Sequence, residues 1–100
     1  MNEVVLDRFA RKHRDAAQWL ADWAATVRES AWHSLMDVRR QYPSADGVKL
    51  KGGLVITVFN VKGNEYRLLT FISYAMQRVT VFQVLTHEQY SRGNWKGKTS

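Results

Sequence analysis

One hundred residues suffice for a single domain with one modest core, and the chain carries a formal net charge of +6, 45% hydrophobic residues and no cysteine. The lack of cysteine excludes a disulfide framework and a thiolate metal site. No apolar run reaches membrane-spanning length, and the start Met1-Asn2-Glu3-Val4-Val5 has no signal-peptide pattern. The excess of Lys and Arg beside aromatic residues favours a polyanionic partner, nucleic acid or the ribosome. A membrane surface is disfavoured because no helical stretch pairs a large apolar face with basic flanks.

The first forty-odd residues have helical periodicity and the next forty have strand character. That order predicts an α+β fold, N-terminal helices packed on a small antiparallel sheet of about three strands. We expect one domain over residues 1–100, with a helical half 1–43, a sheet half 54–87 and a tail 88–100. The first helix is predicted over Glu3 to His13, with Leu6, Phe9, Ala10 and His13 along one edge. Asp15 reads as the N-cap of a second helix, with Gln18 completing a capping box. The buried stripe of this helix is Ala16, Leu20, Trp23, Ala24 and Val27. Trp19 and Trp32 are expected to cover the joint between helices rather than to stack on bases.

Ser30 reads as the cap of a third, short helix from Ala31 to about Gln41, with Leu35, Met36 and Val38 inward. Arg39 and Arg40 fall in its last turn, where cations suit the helix dipole and could also meet phosphate. Pro43 ends the helix. Ser44 to Gly53 is expected to be a loop, with Lys49 and Lys51 either solvated or on phosphate. Strands are predicted at Leu54 to Lys62, Glu65 to Tyr74 and Arg78 to Thr86.

The first two strands meet at Gly63-Asn64, a two-residue hairpin signal. Lys62 then pairs with Glu65, Val61 with Tyr66 and Asn60 with Arg67. Alternation places Asn60, Lys62, Glu65 and Arg67 on one face and Val61, Tyr66 and Leu68 on the other. A three-residue loop, Ala75 to Gln77, pairs Tyr74 with Arg78 and sets Glu65 opposite His87, on the face of Arg67; a two-residue loop reverses that.

Two motifs, Phe59-Asn60-Val61-Lys62-Gly63-Asn64-Glu65-Tyr66-Arg67-Leu68 and Thr86-His87-Glu88-Gln89-Tyr90, stand one hairpin apart. In this order they resemble the HigB-type toxins of the RelE/ParE superfamily. Phe9-Ala10-Arg11-Lys12-His13, Trp19, Ala31-Trp32, Tyr42-Pro43-Ser44-Ala45-Asp46 and the tail Gly93-Asn94-Trp95-Lys96 are similar to the same family, so the resemblance spans nearly the whole chain. Two departures stand out: only five residues precede Leu6, where members often begin with a short strand, and Ser91 follows the motif tyrosine where many members carry an acid.

The resemblance implies a RelE-like fold and the toxin of a toxin–antitoxin pair. Such a toxin is a bacterial, cytoplasmic endoribonuclease that cleaves mRNA, commonly on the translating ribosome, and needs no metal or other cofactor. Its partner would be a HigA-like helix-turn-helix antitoxin, with operator DNA met only through the antitoxin complex and no membrane partner. RNA is cleaved without metal when a base takes the 2′-hydroxyl proton, cations stabilise the phosphorane and an acid protonates the leaving oxygen. Catalysis is assigned to Arg67 as the phosphate fork, His87 as acid or base, Lys62 as a compact charge and Tyr90 as donor or stacking ring. Asn60, Asn64, Arg39, Arg40, Lys49 and Lys51 are the expected RNA contacts. Asn64 also suits a turn, Glu65 could simply pair with Lys62, and a lone histidine or tyrosine is more often structural. No metal ligand set is apparent, because His13, His33 and His87 are dispersed. The other classes considered are a non-cleaving RNA- or ribosome-binding module and a gyrase inhibitor of the ParE type.

Overall fold

In a computed structural model the chain is described over residues 3–93 and 95. Two helices open it, α1 (Val4–Lys12) and α2 (Arg14–Glu29), followed by a short α3 (Leu35–Gln41). Then come β1 (Asp46–Lys49), β2 (Val55–Val61), β3 (Tyr66–Ser73), β4 (Arg78–Thr86) and a final short helix, α4 (His87–Arg92). The strands form one antiparallel sheet in the order β1-β2-β3-β4. The α+β expectation holds, with a short edge strand added inside the predicted 44–53 loop. Among the described residues no strand precedes α1.

The sheet is covered on both faces, which explains why Ile56 to Phe59 are buried without a polar side. On one face Leu6, Ala16, Leu20, Trp23, Trp32 and Val38 pack against Phe59, Val61, Tyr66 and Leu68. Trp32 stacks on Phe59 at 6.2 Å and Trp23 meets the same ring edge-on at 5.4 Å, so these tryptophans are core, as their spacing suggested. On the other face Ile56, Val58, Leu69 and Leu85 bury a smaller cluster with Leu50 and Trp95. Residues 94 and 96–100 of the tail lie outside the described residues; in its described part Thr86 accepts from the Gln89 amide, and the Gln89 side chain accepts from the Thr86 amide, closing a capping box on α4.

Several local expectations are corrected. The N-cap of α2 is His13 rather than Asp15, and Gln18 bonds Asp22 instead of closing a box. α3 starts at Leu35, not Ala31, with Ser34 at its N-cap position; Ser30 instead caps the C-terminus of α2, its hydroxyl donating to the Thr26 carbonyl. Met36 points to solvent, while Val38 is fully buried. Asp46-Gly47 is strand rather than turn.

The β3–β4 register is also reached differently. Ser73, not Tyr74, pairs with Arg78, so the connection has four residues, Tyr74 to Gln77. The carboxamide of Gln77 ties it down, donating 2.7 Å bonds to the carbonyls of Tyr74 and Trp32. Such a connection alone would turn every later β4 residue to the wrong face. A bulge restores alternation: Thr70 pairs with Val81 but Leu69 with Gln83, leaving Phe82 as the extra residue. At the far end Tyr66 pairs with Thr86, and the His87 amide donates to the Glu65 carbonyl at 2.9 Å. Glu65 is therefore opposite His87 as expected, by a turn and a bulge that compensate each other.

Candidate functional site

The β2–β3 turn is built as its residues demand. Val61 pairs with Tyr66 and Asn60 with Arg67, the register read from Gly63-Asn64. Gly63 takes φ +68°, a conformation open to glycine at little cost, and Lys62 before it is also left-handed at φ +51°. Two positive φ values tighten the turn, but they also redirect Lys62. Its ammonium lies 3.3 Å from Asp15 Oδ2, and Asp15 also accepts the Tyr66 hydroxyl at 2.9 and 2.8 Å. Lys62 thus turns to the helical side with Tyr66 and does not share the face of Arg67, contrary to simple alternation. Glu65, expected to pair with Lys62, makes no ion pair among the described residues.

On the opposite face the side chains converge on Arg67. Its Nη1 donates to the carbonyls of Asn64 and Tyr66 at 3.3 and 3.1 Å, and its Nη2 donates to Asn64 Oδ1 at 3.1 Å. Asn60 donates to that same oxygen at 3.4 Å. The guanidinium lies 5.6 Å from the centre of the Tyr90 ring, and Trp95 stacks on the same ring at 5.1 Å and 15°. Trp95 Nε1 donates to the Tyr90 carbonyl at 2.9 Å, so the tail fixes the ring from both its plane and its backbone. The acceptors that hold Arg67 are neutral, and among the described residues no carboxylate lies within ion-pair distance.

Burial pushes the Tyr90 hydroxyl above its ordinary pKa, and Asp46 adds to this while Arg67 opposes it. Tyr90 is therefore a phenol, a donor, across the neutral range. The Asp15–Tyr66 bond lowers the pKa of Asp15 and raises that of Tyr66, as expected when a carboxylate takes a phenol proton in a hydrogen bond.

His87 is exposed and opens α4 as its first residue. Strand alternation ends at Thr86, so it no longer dictates where the imidazole points. Arg39 donates to the Ala45 carbonyl at 2.9 Å and pairs with Asp46 at 3.3 Å, and Arg40 pairs with Asp37 at 3.1 Å. Both are engaged within their own loop and helix. Lys49 pairs in register with Val55, five residues of β2 before Asn60 or about 17 Å of strand. Lys51 lies beyond it, in the following turn. The structure thus gathers Asn60, Asn64, Arg67 and Tyr90, sets Lys62 on the other side of the same turn, and leaves Lys49 and Lys51 at the far end of the sheet.

Two contributors escaped the sequence reading. Trp95 was noted only as part of the tail, and a bulky aromatic after a glycine stop was the available signal for docking. Asp15 looked like a cap because acid before an apolar stripe is the usual cap pattern. Among the described residues there is no group of three or more His, Asp or Glu able to hold a metal ion. Nor is any helix long and apolar enough to cross a membrane. Compared with known proteins, residues 16–93 match the family model described as HigB_toxin, RelE-like toxic component of a toxin-antitoxin system. No curated protein matches the chain.

Proposed function

Because the chain belongs to this RelE-like HigB toxin family, and a toxin of that kind has an antitoxin as its partner, we propose that it is an endoribonuclease that cleaves mRNA. The observation carrying this reading is the Arg67 guanidinium, half-buried and held by neutral oxygens and a ring face, with no carboxylate among the described residues to neutralise it. Such a cation has its geometry fixed before any ligand arrives, and an arriving phosphate meets its charge undiminished.

In the proposed reaction Arg67 holds the scissile phosphate in its fork. A base removes the proton of the neighbouring 2′-hydroxyl, whose oxygen bonds to phosphorus. Negative charge grows on the non-bridging oxygens, where Arg67 stabilises it. The bond from phosphorus to the 5′-oxygen breaks as that oxygen takes a proton, leaving a 2′,3′-cyclic phosphate and a 5′-hydroxyl. His87, exposed at the start of α4, is assigned as the base. Tyr90, kept protonated by burial, is assigned as the acid. Asn60 and Asn64 hold the fork and offer amides to a base edge. Lys62, paired with Asp15, adds charge at the turn and moves no proton. The chemistry calls on no metal.

The same reading makes translating ribosomes the place of action, the cytoplasm the compartment and a HigA-like helix-turn-helix protein the antitoxin, through which the pair reaches operator DNA. The test is cleavage of a defined mRNA, free and on programmed ribosomes, with chelator present, for wild type, Arg67→Ala and His87→Ala. Discrete cuts by wild type alone are expected, on ribosomes. Cuts on free RNA as well keep the nuclease and remove the ribosome requirement. Ribosome binding without cuts replaces the reading by a binding module, and inhibition of supercoiling replaces it by a gyrase inhibitor.

A further inference from the structure

A second concentration of charge lies around the α1–α2 junction, where Arg8, Arg11, Lys12 and Arg14 are all exposed. Among the described residues none of them makes an ion pair, whereas Arg28, Arg39, Arg40, Lys62 and Arg92 are each matched to a carboxylate. The nearby acids are otherwise occupied or turned away. Glu3 pairs with Arg28, Asp15 holds Tyr66 and Lys62, and Asp7 faces α2 beside Ala10 and Ala17. Helix electrostatics explains only part of the patch. Arg11 and Lys12 suit the last turn of α1, but Arg8 lies a turn earlier and Arg14 is the first residue of α2, where the dipole disfavours a cation.

Beside Arg8 and Lys12 is a groove of about 310 Å³ between α1 and the edge strand β4. Val5, Phe9, Phe82 and Val84 form its apolar surface, and Arg8 and Lys12 form its rim. Phe82 is there because it is the extra residue of the β4 bulge. The groove lies on the helical side of the sheet end whose other face carries the site already described. Phe9 meets the Tyr66 ring at 5.2 Å, His13 meets it at 5.3 Å, and Phe82 to Val84 precede His87 by only three to five residues.

We propose that this cationic edge and groove form a second RNA subsite, binding single-stranded RNA that continues from the strand held at Arg67. The cations contact successive phosphates, and the apolar, aromatic surface receives an unstacked base, the combination by which proteins hold single strands. A rigid duplex has no unstacked base for the groove. The inference rests on the RNA-cleaving reading for the identity of the strand, and the test separates the two.

Fluorescence anisotropy is measured with 2′-O-methyl RNA, which lacks the nucleophile, in lengths of about five and about fifteen nucleotides, within the usual range of single-strand sites. Wild type is compared with Arg8→Gln/Arg11→Gln/Lys12→Gln/Arg14→Gln over a range of salt. The four side chains are exposed, and circular dichroism confirms that the variant is folded. Wild type is expected to prefer the longer strand, and the variant to lose that preference by about tenfold or more. Its slope of log K against log salt falls by about 0.7 per lost phosphate contact, and affinity for the short strand is unchanged. Equal affinities of variant and wild type for the long strand overturn the proposal, as does an equal loss for duplex RNA. Weakened antitoxin binding with RNA binding intact also overturns it and makes the patch a protein interface. Length-dependent binding that the variant lacks, in a protein that cleaves no RNA, supports the subsite and rejects the nuclease.

Discussion

Arg67 and Tyr90 divide the chemistry of the site by what each is held by. Arg67 is fixed by three bonds to neutral oxygens, so truncation removes charge without releasing a buried partner charge. Arg67→Ala is expected to lower cleavage by about 10²–10³, the usual loss for a group that stabilises developing negative charge. Arg67→Lys should recover little of this, because an ammonium keeps the charge but cannot form the fork; single-turnover cleavage measures both. Tyr90→Phe keeps the ring that meets Arg67 and Trp95 but removes the proton donor. It should lower kcat by about 10²–10⁴ while RNA affinity stays the same, the division expected of a general acid. Burial raises the Tyr90 pKa above its usual 10.0, so Tyr90 does not lose its proton in the neutral range.

Two ties hold the turn and the last helix in place. Asp15, on the first turn of α2, pins the β2–β3 hairpin through Tyr66 and Lys62. Its carboxyl is depressed below the ordinary 3.8 in the folded protein, chiefly by the Tyr66 hydroxyl. The unfolded chain therefore binds this proton more readily, and stability must fall as the pH drops through the folded value. The contribution is fully present above pH 3.8 and is shed below it. Urea midpoints for wild type and Asp15→Asn should differ at pH 6 and converge toward pH 3. The second tie is the capping box at Thr86, which starts the helix that carries Tyr90. Thr86→Ala should cost about 1 kcal/mol in urea denaturation, and cleavage should fall because the Tyr90 ring loses its support.

Across the whole molecule the sheet has an unequal covering. Three helices bury one face under a large aromatic core, and α4 with Trp95 covers only part of the other. The uncovered end of that second face is where Asn60, Asn64 and Arg67 stand. Trp95 is only 4% exposed, so it joins stability to the site. Trp95→Ala should destabilise the fold by about 3–5 kcal/mol, measured by urea denaturation. Trp95→Phe, which keeps an aromatic ring against Tyr90, should recover most of the activity.

The helices, the sheet and the Asn60–Arg67 pairing were legible in the chain because they rest on short-range rules. Apolar spacing fixes which face of a helix is buried, and Gly63 admits a positive φ that sets the register of the residues beside it. What the sequence could not determine depends on groups that meet only when the chain is folded. Lys62 left the face that alternation assigns because Asp15, 47 positions earlier, offers a carboxylate beside Tyr66. The His87 register needed a four-residue connection and a bulge together, and each alone predicts the opposite face. Trp95 acquired its place only where Leu69, Leu85 and Tyr90 gave it a surface to cover. Local conformational preference thus determined the elements and the turn, whereas long-range packing and charge pairing decided which side chains face the site.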